Sequence, residues 1–244
     1  MIRRTAGRAW RKLNRLLSIR WLAWRVAHSR IALEKYGEGH AAWYVPADIE
    51  PGAVAYCGGV GLDASFDFAL AERKGLQVFS FDPTLGSIAY MDEHNDGRVK
   101  FYPWGLLDAD CTVRFYGPAN PEHANWFTQD LHGSSRHFDA QCFTLRTVMT
   151  KLGHDRIDLL KIDIEGSWNR VLARMLDDGI APPTLCVEFD SPAPLWRVRP
   201  IVLRLESAGY RLVHHEKENC VFLLDQEGEA SGGKSASRRS ADSE

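Results

Sequence analysis

The chain reads as an α/β domain built on a doubly wound, mainly parallel sheet that ends in an antiparallel hairpin. Three observations predict this. From Tyr44 onward, short apolar runs alternate with helical stretches; a glycine-rich turn follows the first clear run; and an acidic residue, Asp82, closes the second. Strand, helix, strand in repetition makes the strands parallel, because each crossover lays a helix on one face of the sheet.

VAYCGG (54–59) is the first clear strand, and SFDFALAERKG (65–75) is a helix stopped by Gly75. LQVFSFDP (76–83) is a strand ended by Pro83, and VKFYPWGL (99–106) and TVRFYG (112–117) are further strands. TLRTVMTKLG (144–153) is a helix, IDLLKIDIEG (157–166) a strand and SWNRVLARMLDDG (167–179) a helix. TLCVEFD (184–190), the helix RPIVLRLESAG (199–209) and the hairpin YRLVHHEKENCVFLLD (210–225) complete the plan.

A chain of 244 residues, 45% hydrophobic, builds one domain with tails: a basic helical extension over 1–35, the domain over 36–226, and a polar tail over 227–244 too poor in apolar residues to bury anything. Nine of the 30 Lys and Arg lie in residues 1–30, with none of the 32 Asp and Glu. The remainder is therefore acidic, which excludes a broad nucleic-acid face there. Five cysteines without CxxC spacing point to a reducing compartment and no structural zinc. No run reaches the ~20 apolar residues of a membrane span, and arginines interrupt any signal-peptide core. The expected location is cytoplasmic, with a peripheral membrane contact through residues 1–30, where Trp10, Leu13, Leu16, Leu17, Trp21, Leu22 and Trp24 alternate with basic residues at helical spacing. The plainer reading of that helix is packing on its own domain.

In a doubly wound sheet, ligands bind beyond the carboxyl ends of the central strands. Gly59 and Gly61 let the backbone turn there, and Asp82 is placed to accept from ribose hydroxyls. Gly59, Gly61 and Ala64 also satisfy the dinucleotide pattern. Asp63, however, puts a carboxylate where a pyrophosphate would rest at the helix start, whereas an ammonium and a sulfonium would welcome it. The plainer role for Asp63 is a helix cap.

DLLKIDIEGSW (158–168) is unusual for a buried strand: alternation puts Leu160, Ile162 and Ile164 on one face, and Lys161, Asp163 and Glu165 on the other. Burying three charges is costly unless they pair or perform a task.

GEGHAAWYVPADIEPGAVAYCGGVGLDASFDFAL, VFSFDPT, TLRTVMTKLGHDRIDLLKIDIEG and LCVEFD, in this order, resemble the FkbM family of S-adenosylmethionine-dependent methyltransferases, over roughly residues 36–225. The resemblance implies a Rossmann-like class I methyltransferase fold, with a mainly parallel seven-stranded sheet and a C-terminal antiparallel hairpin. It also implies methyl transfer, usually to oxygen, on sugars, glycolipids or secondary metabolites. Cys57, Gly58, Leu85 and Trp168 depart from the family's pattern.

For the donor, S-adenosyl-L-methionine, the candidate contacts are Cys57, Gly59, Gly61, Asp63, Asp82, Pro83, Trp104 and Gly105, the last two after strand 99–103, where adenine should sit. For catalysis they are Asp163 or Glu165 as base, with Lys161 as electrostatic partner. Glu188 and Asp190 could join these acids around Mg²⁺ or Mn²⁺, although Glu188 could equally pair with Lys161, and a metal is not favoured. The connection 117–139 reads as a lid or acceptor wall whose His123, His132 and His137 follow no ligand spacing; His214 and His215 fall away from the site. The expected partner is a small-molecule or glycan acceptor. The competing functions are a nicotinamide-dependent oxidoreductase and a membrane-attached binding protein without turnover.

Overall fold

Alternation along four short strands fixes the centre of the molecule. The computed structural model describes residues 2–27, 31–116, 137–164, 166–189 and 193–225. In chain order these form α1 (Ile2–Arg25), β1 (Leu33–Tyr36), β2 (Trp43–Pro46), β3 (Val54–Gly58), α2 (Ser65–Arg73), β4 (Gln77–Phe81), α3 (Leu85–His94), β5 (Lys100–Tyr102), β6 (Gly105–Leu106) and β7 (Cys111–Tyr116). There follow β8 (His137–Phe143), α4 (Leu145–Leu152), β9 (Leu159–Ile162), α5 (Trp168–Asp177), β10 (Thr184–Glu188), α6 (Leu195–Ser207), β11 (Tyr210–Glu216) and β12 (Asn219–Leu224).

The main sheet has seven strands in the order β11-β12-β10-β9-β3-β4-β5. β3, β4, β5, β9 and β10 run parallel, and β12 inserts antiparallel between β10 and β11. Tyr56, Phe79, Leu160, Ile162, Leu185 and Val187 point into one core layer with α4, α5, α6 and Leu22 of α1. Their sequence neighbours Ala55, Cys57, Val78, Leu159 and Cys186 point into the other layer, with α2 and the β1–β2 hairpin. Successive residues on a strand face opposite sides, so both faces are covered and the strands lack polar alternation.

Several boundaries differ from those the sequence suggests. The run 99–106 divides at Pro103: β5 stays in the main sheet, while β6 joins β8 and β7 in a separate three-stranded sheet. His137 and Phe138 begin β8 instead of ending a loop. α6 starts before Pro200, because the buried stripe Val198, Ile201, Val202 and Leu205 carries the helix past a residue that cannot donate. β8, α3 and the β1–β2 hairpin are additional elements. Glu165, Asp190, His123, His132, most of the connection 117–139 and the tail 227–244 lie outside the described residues.

Candidate active site

β3 delivers the chain to Gly59, whose φ is +84°; a Cβ there would overlap the Asp163 carbonyl oxygen, so the turn lies directly against the end of β9. Gly61, at φ +62°, has open space where its Cβ would point. Only glycine enters this backbone region without strain. Asp82, 7% exposed after β4, braces the turn. Its Oδ2 accepts from the Val60 and Gly61 N–H groups at 2.9 and 3.0 Å, and its Oδ1 accepts from the N–H and hydroxyl of Thr84 at 2.9 and 2.7 Å. Two donors on each oxygen engage the carboxylate in the turn itself, a bracing task beside the ribose contact expected from the sequence. Asp63 is exposed, and its Oδ1 accepts from the Ser65 N–H at 2.9 Å in a local turn just ahead of α2, whose cap position is Ala64.

Beneath the turn, sheet register sets Cys186, Lys161, Cys57 and Ser80 side by side on four neighbouring strands. Small side chains on either side leave room for the lysine, which is 6% exposed. Its Nζ donates to the Gly59 carbonyl at 2.6 Å, pairs with Asp163 Oδ2 at 3.1 Å and lies 5.9 Å from the centre of the Trp43 ring. Burial alone would lower the ammonium's pKa; Asp163 and Asp67 outweigh it and raise it. Lys161 is therefore a charged tie between the turn and β9.

Asp67, on the buried face of α2, is a member of this group that motif reading passed over. Its Oδ1 has no hydrogen-bond partner, and burial raises its pKa from 3.8 to about 6 against the pull of Lys161. The signal was available: an aspartate between Phe66 and Phe68, within an otherwise apolar stretch of helix.

Asp163 is half-buried just past the end of β9. Burial opposes its ionisation, but the charge of Lys161 and a side-chain hydrogen bond with Glu188 hold its pKa below the usual carboxylate range. Among the described residues, no three His, Cys, Asp or Glu gather as a metal site.

Other expected contacts take different roles. Cys57 is fully buried, burial with the nearby Asp67 pushes its thiol pKa well up, and it supports the turn from below. Gly105 is buried in β6, where a Cβ would stand 2.5 Å from Cys142 Sγ and 3.5 Å from Pro83 Cγ; its small size answers packing. Pro83 thus backs the same junction. Trp104 is half-buried at the end of an aromatic stack, 4.6 Å from Tyr102 and 6.4 Å from Phe81 between ring centres. Trp168 is core, edge-on to Phe189 at 4.9 Å, which accounts for a tryptophan after the DIEG turn without reference to substrate.

The β1–β2 loop completes the site. The Glu38 N–H donates to Ser65 Oγ at 2.9 Å, fastening this loop to the start of α2. Beyond it, Lys35, His40, Glu188, Glu216, Glu218 and Asn219 line a polar cleft of about 100 Å³. Lys35 pairs with Glu216 at 3.5 Å across it. The glycine turn, the Asp163–Glu188 pair and the cleft thus follow one another along the carboxyl edge of the sheet.

A mainly parallel seven-stranded sheet with its penultimate-position strand reversed, and a glycine turn after β3 braced by the acid that closes β4, fit a Rossmann-like methyltransferase fold. The family model of the methyltransferase FkbM domain matches residues 68–212. The chain belongs to that family and is a methyltransferase. The match takes in FDPT, DLLKIDIEG and LCVEFD, and starts just after the glycine turn and Asp67. No curated protein and no solved structure matches the chain.

Proposed function

We propose that the protein is an S-adenosylmethionine-dependent O-methyltransferase acting on a hydroxyl of a saccharide, glycolipid or secondary metabolite. The observation that carries the donor assignment is where the turn's N–H groups go. Val60 and Gly61 donate to Asp82, and Ser65 donates to Asp63. A dinucleotide needs such groups free for its pyrophosphate, whereas in this turn they are spent on carboxylates, and the exposed carboxylate of Asp63 suits a cationic nucleoside. The open space over Gly61 and the exposed Asp63 fit that ligand.

S-Adenosylmethionine, when bound, supplies an electrophilic methyl group on sulfonium. The chain's own residues do the rest. Gly59 and Gly61 allow close approach, Asp82 and Lys161 hold the turn in shape, and the cleft beside Glu188 orients the acceptor so that its oxygen lies in line with the methyl. Asp163, kept ionised by Lys161, would take the hydroxyl proton as the acceptor oxygen bonds the methyl carbon and the carbon–sulfur bond breaks to leave a neutral thioether. Glu165 stays a candidate for the same role. The lattice of carboxylates, ammonium groups and an amide in the cleft suits a polyhydroxylated acceptor.

Equilibrium binding of S-adenosylhomocysteine tests the donor assignment, with saturation expected and no binding at millimolar ligand overturning it. Titration with reduced nicotinamide dinucleotide should show no saturation. A screen of extract fractions with radiolabelled donor then identifies the acceptor.

A further inference from the structure

α1 carries two different faces. Ser18 and Leu22 are buried: the serine hydroxyl donates to the Ala193 carbonyl at 2.7 Å, and Leu22 enters the core. Arg15 and Arg25 fasten the helix through Glu218 and Glu206. At about 100° per residue, Trp10, Leu13, Leu17 and Trp24 fall within ~60° of one another, roughly 130° from the buried pair. These four are 55%, 55%, 46% and 77% exposed, and Leu16 lies beside them. A helix already docked by its inner face thus presents a second apolar stripe to solvent, with Arg20 on its flank. Scattered exposed leucines need no explanation; four large apolar side chains in line, two of them tryptophan, do.

We propose that this stripe docks on an anionic membrane surface, with α1 lying in the plane of the headgroups. Charge selects this occupant. Residues 1–30 hold nine basic and no acidic residues, so a second copy of α1 laid along the stripe would oppose like charges with no acid to pair. An anionic lipid surface complements the same charge and receives indole rings at its headgroup boundary. Among the described residues no helix is long and apolar enough to cross a membrane, so the contact is peripheral. Glu218, which holds Arg15, also lines the polar cleft, so one carboxylate links the docking helix to the acceptor side.

Flotation of the full chain with vesicles tests this. Phosphatidylcholine vesicles containing phosphatidylglycerol should carry the protein upward, and pure phosphatidylcholine vesicles should carry at least ~fivefold less. The combined variant Trp10→Ser, Leu13→Ser, Leu17→Ser, Trp24→Ser should keep its thermal midpoint and lose at least ~tenfold in flotation. Equal flotation of variant and parent would overturn the proposal. So would absence of flotation by the parent, or a parent dimer in light scattering that this variant dissociates, which would assign the stripe to a second copy.

Discussion

The ammonium of Lys161 lies 2.6 Å from the carbonyl of Gly59 and 3.1 Å from the carboxylate of Asp163. One buried cation thereby joins the glycine turn to the acid at the end of β9, and Asp67 balances it from α2.

Replacing Lys161 with Met should therefore do more than remove a charge. Asp67 and Asp163 would lose their common partner, and breaking a buried ion pair from one side costs about 3–5 kcal/mol. Urea denaturation at neutral pH should show this loss. Adding Asp67→Asn to Lys161→Met should recover part of it, since the two residues share one network. Strict additivity would show that Lys161 and Asp67 do not interact.

Asp67 gives stability a particular pH dependence. Its folded pKa of about 6 lies above the ordinary 3.8, so the native state retains a proton that the unfolded chain has released. The associated stability is complete below about pH 4 and disappears as pH rises through about 6. Two pH units correspond to about 3 kcal/mol. Denaturation of the parent and of Asp67→Asn across this range should show the parent falling relative to the variant as pH rises. A constant difference between them would mean that Asp67 titrates normally.

Asp163→Asn should reduce single-turnover methyl transfer by ~10²–10⁴-fold, while S-adenosylhomocysteine affinity changes little. Because Lys161 holds the Asp163 pKa below the usual carboxylate range, the parent's acid limb should lie at unusually low pH and vanish in the variant. A variant that kept the parent rate would transfer the base role to Glu165.

The central plan was legible because β3, α2, β4, α4, β9, α5 and β10 each carry a long apolar face or a firm terminator such as Gly75 or Gly153. Three elements were not, among them β8, whose seven residues bury only Cys142. α3 buries only Ser87 and Met91, too few to set a helical period, and its start depends on the Thr84 hydroxyl accepting from the Ser87 N–H. The β1–β2 hairpin has strands of four residues each, and its burial against the sheet comes from tertiary packing. At the site, the charged face of β9 was readable from alternation. Asp67 was not assigned a task, because its partner Lys161 lies far along the chain and only the register of β3 with β9 brings them together. The bracing role of Asp82 depends likewise on a turn geometry that spacing does not encode.

The two turn glycines should respond differently to alanine. At Gly59 the added carbon would overlap the Asp163 carbonyl oxygen, and the positive φ adds strain of about 1–2 kcal/mol. The turn must then withdraw from β9, breaking the Lys161 contact, so Gly59→Ala should lower both the denaturation midpoint and S-adenosylhomocysteine affinity. Gly61 has open space beside it, so Gly61→Ala should carry only the backbone strain, about 1 kcal/mol. Its larger effect should be on affinity, because the new methyl stands where the ligand approaches. Calorimetric titration and thermal unfolding of both variants separate these outcomes; a Gly61→Ala protein with parental affinity would mean that the ligand does not lie over the turn.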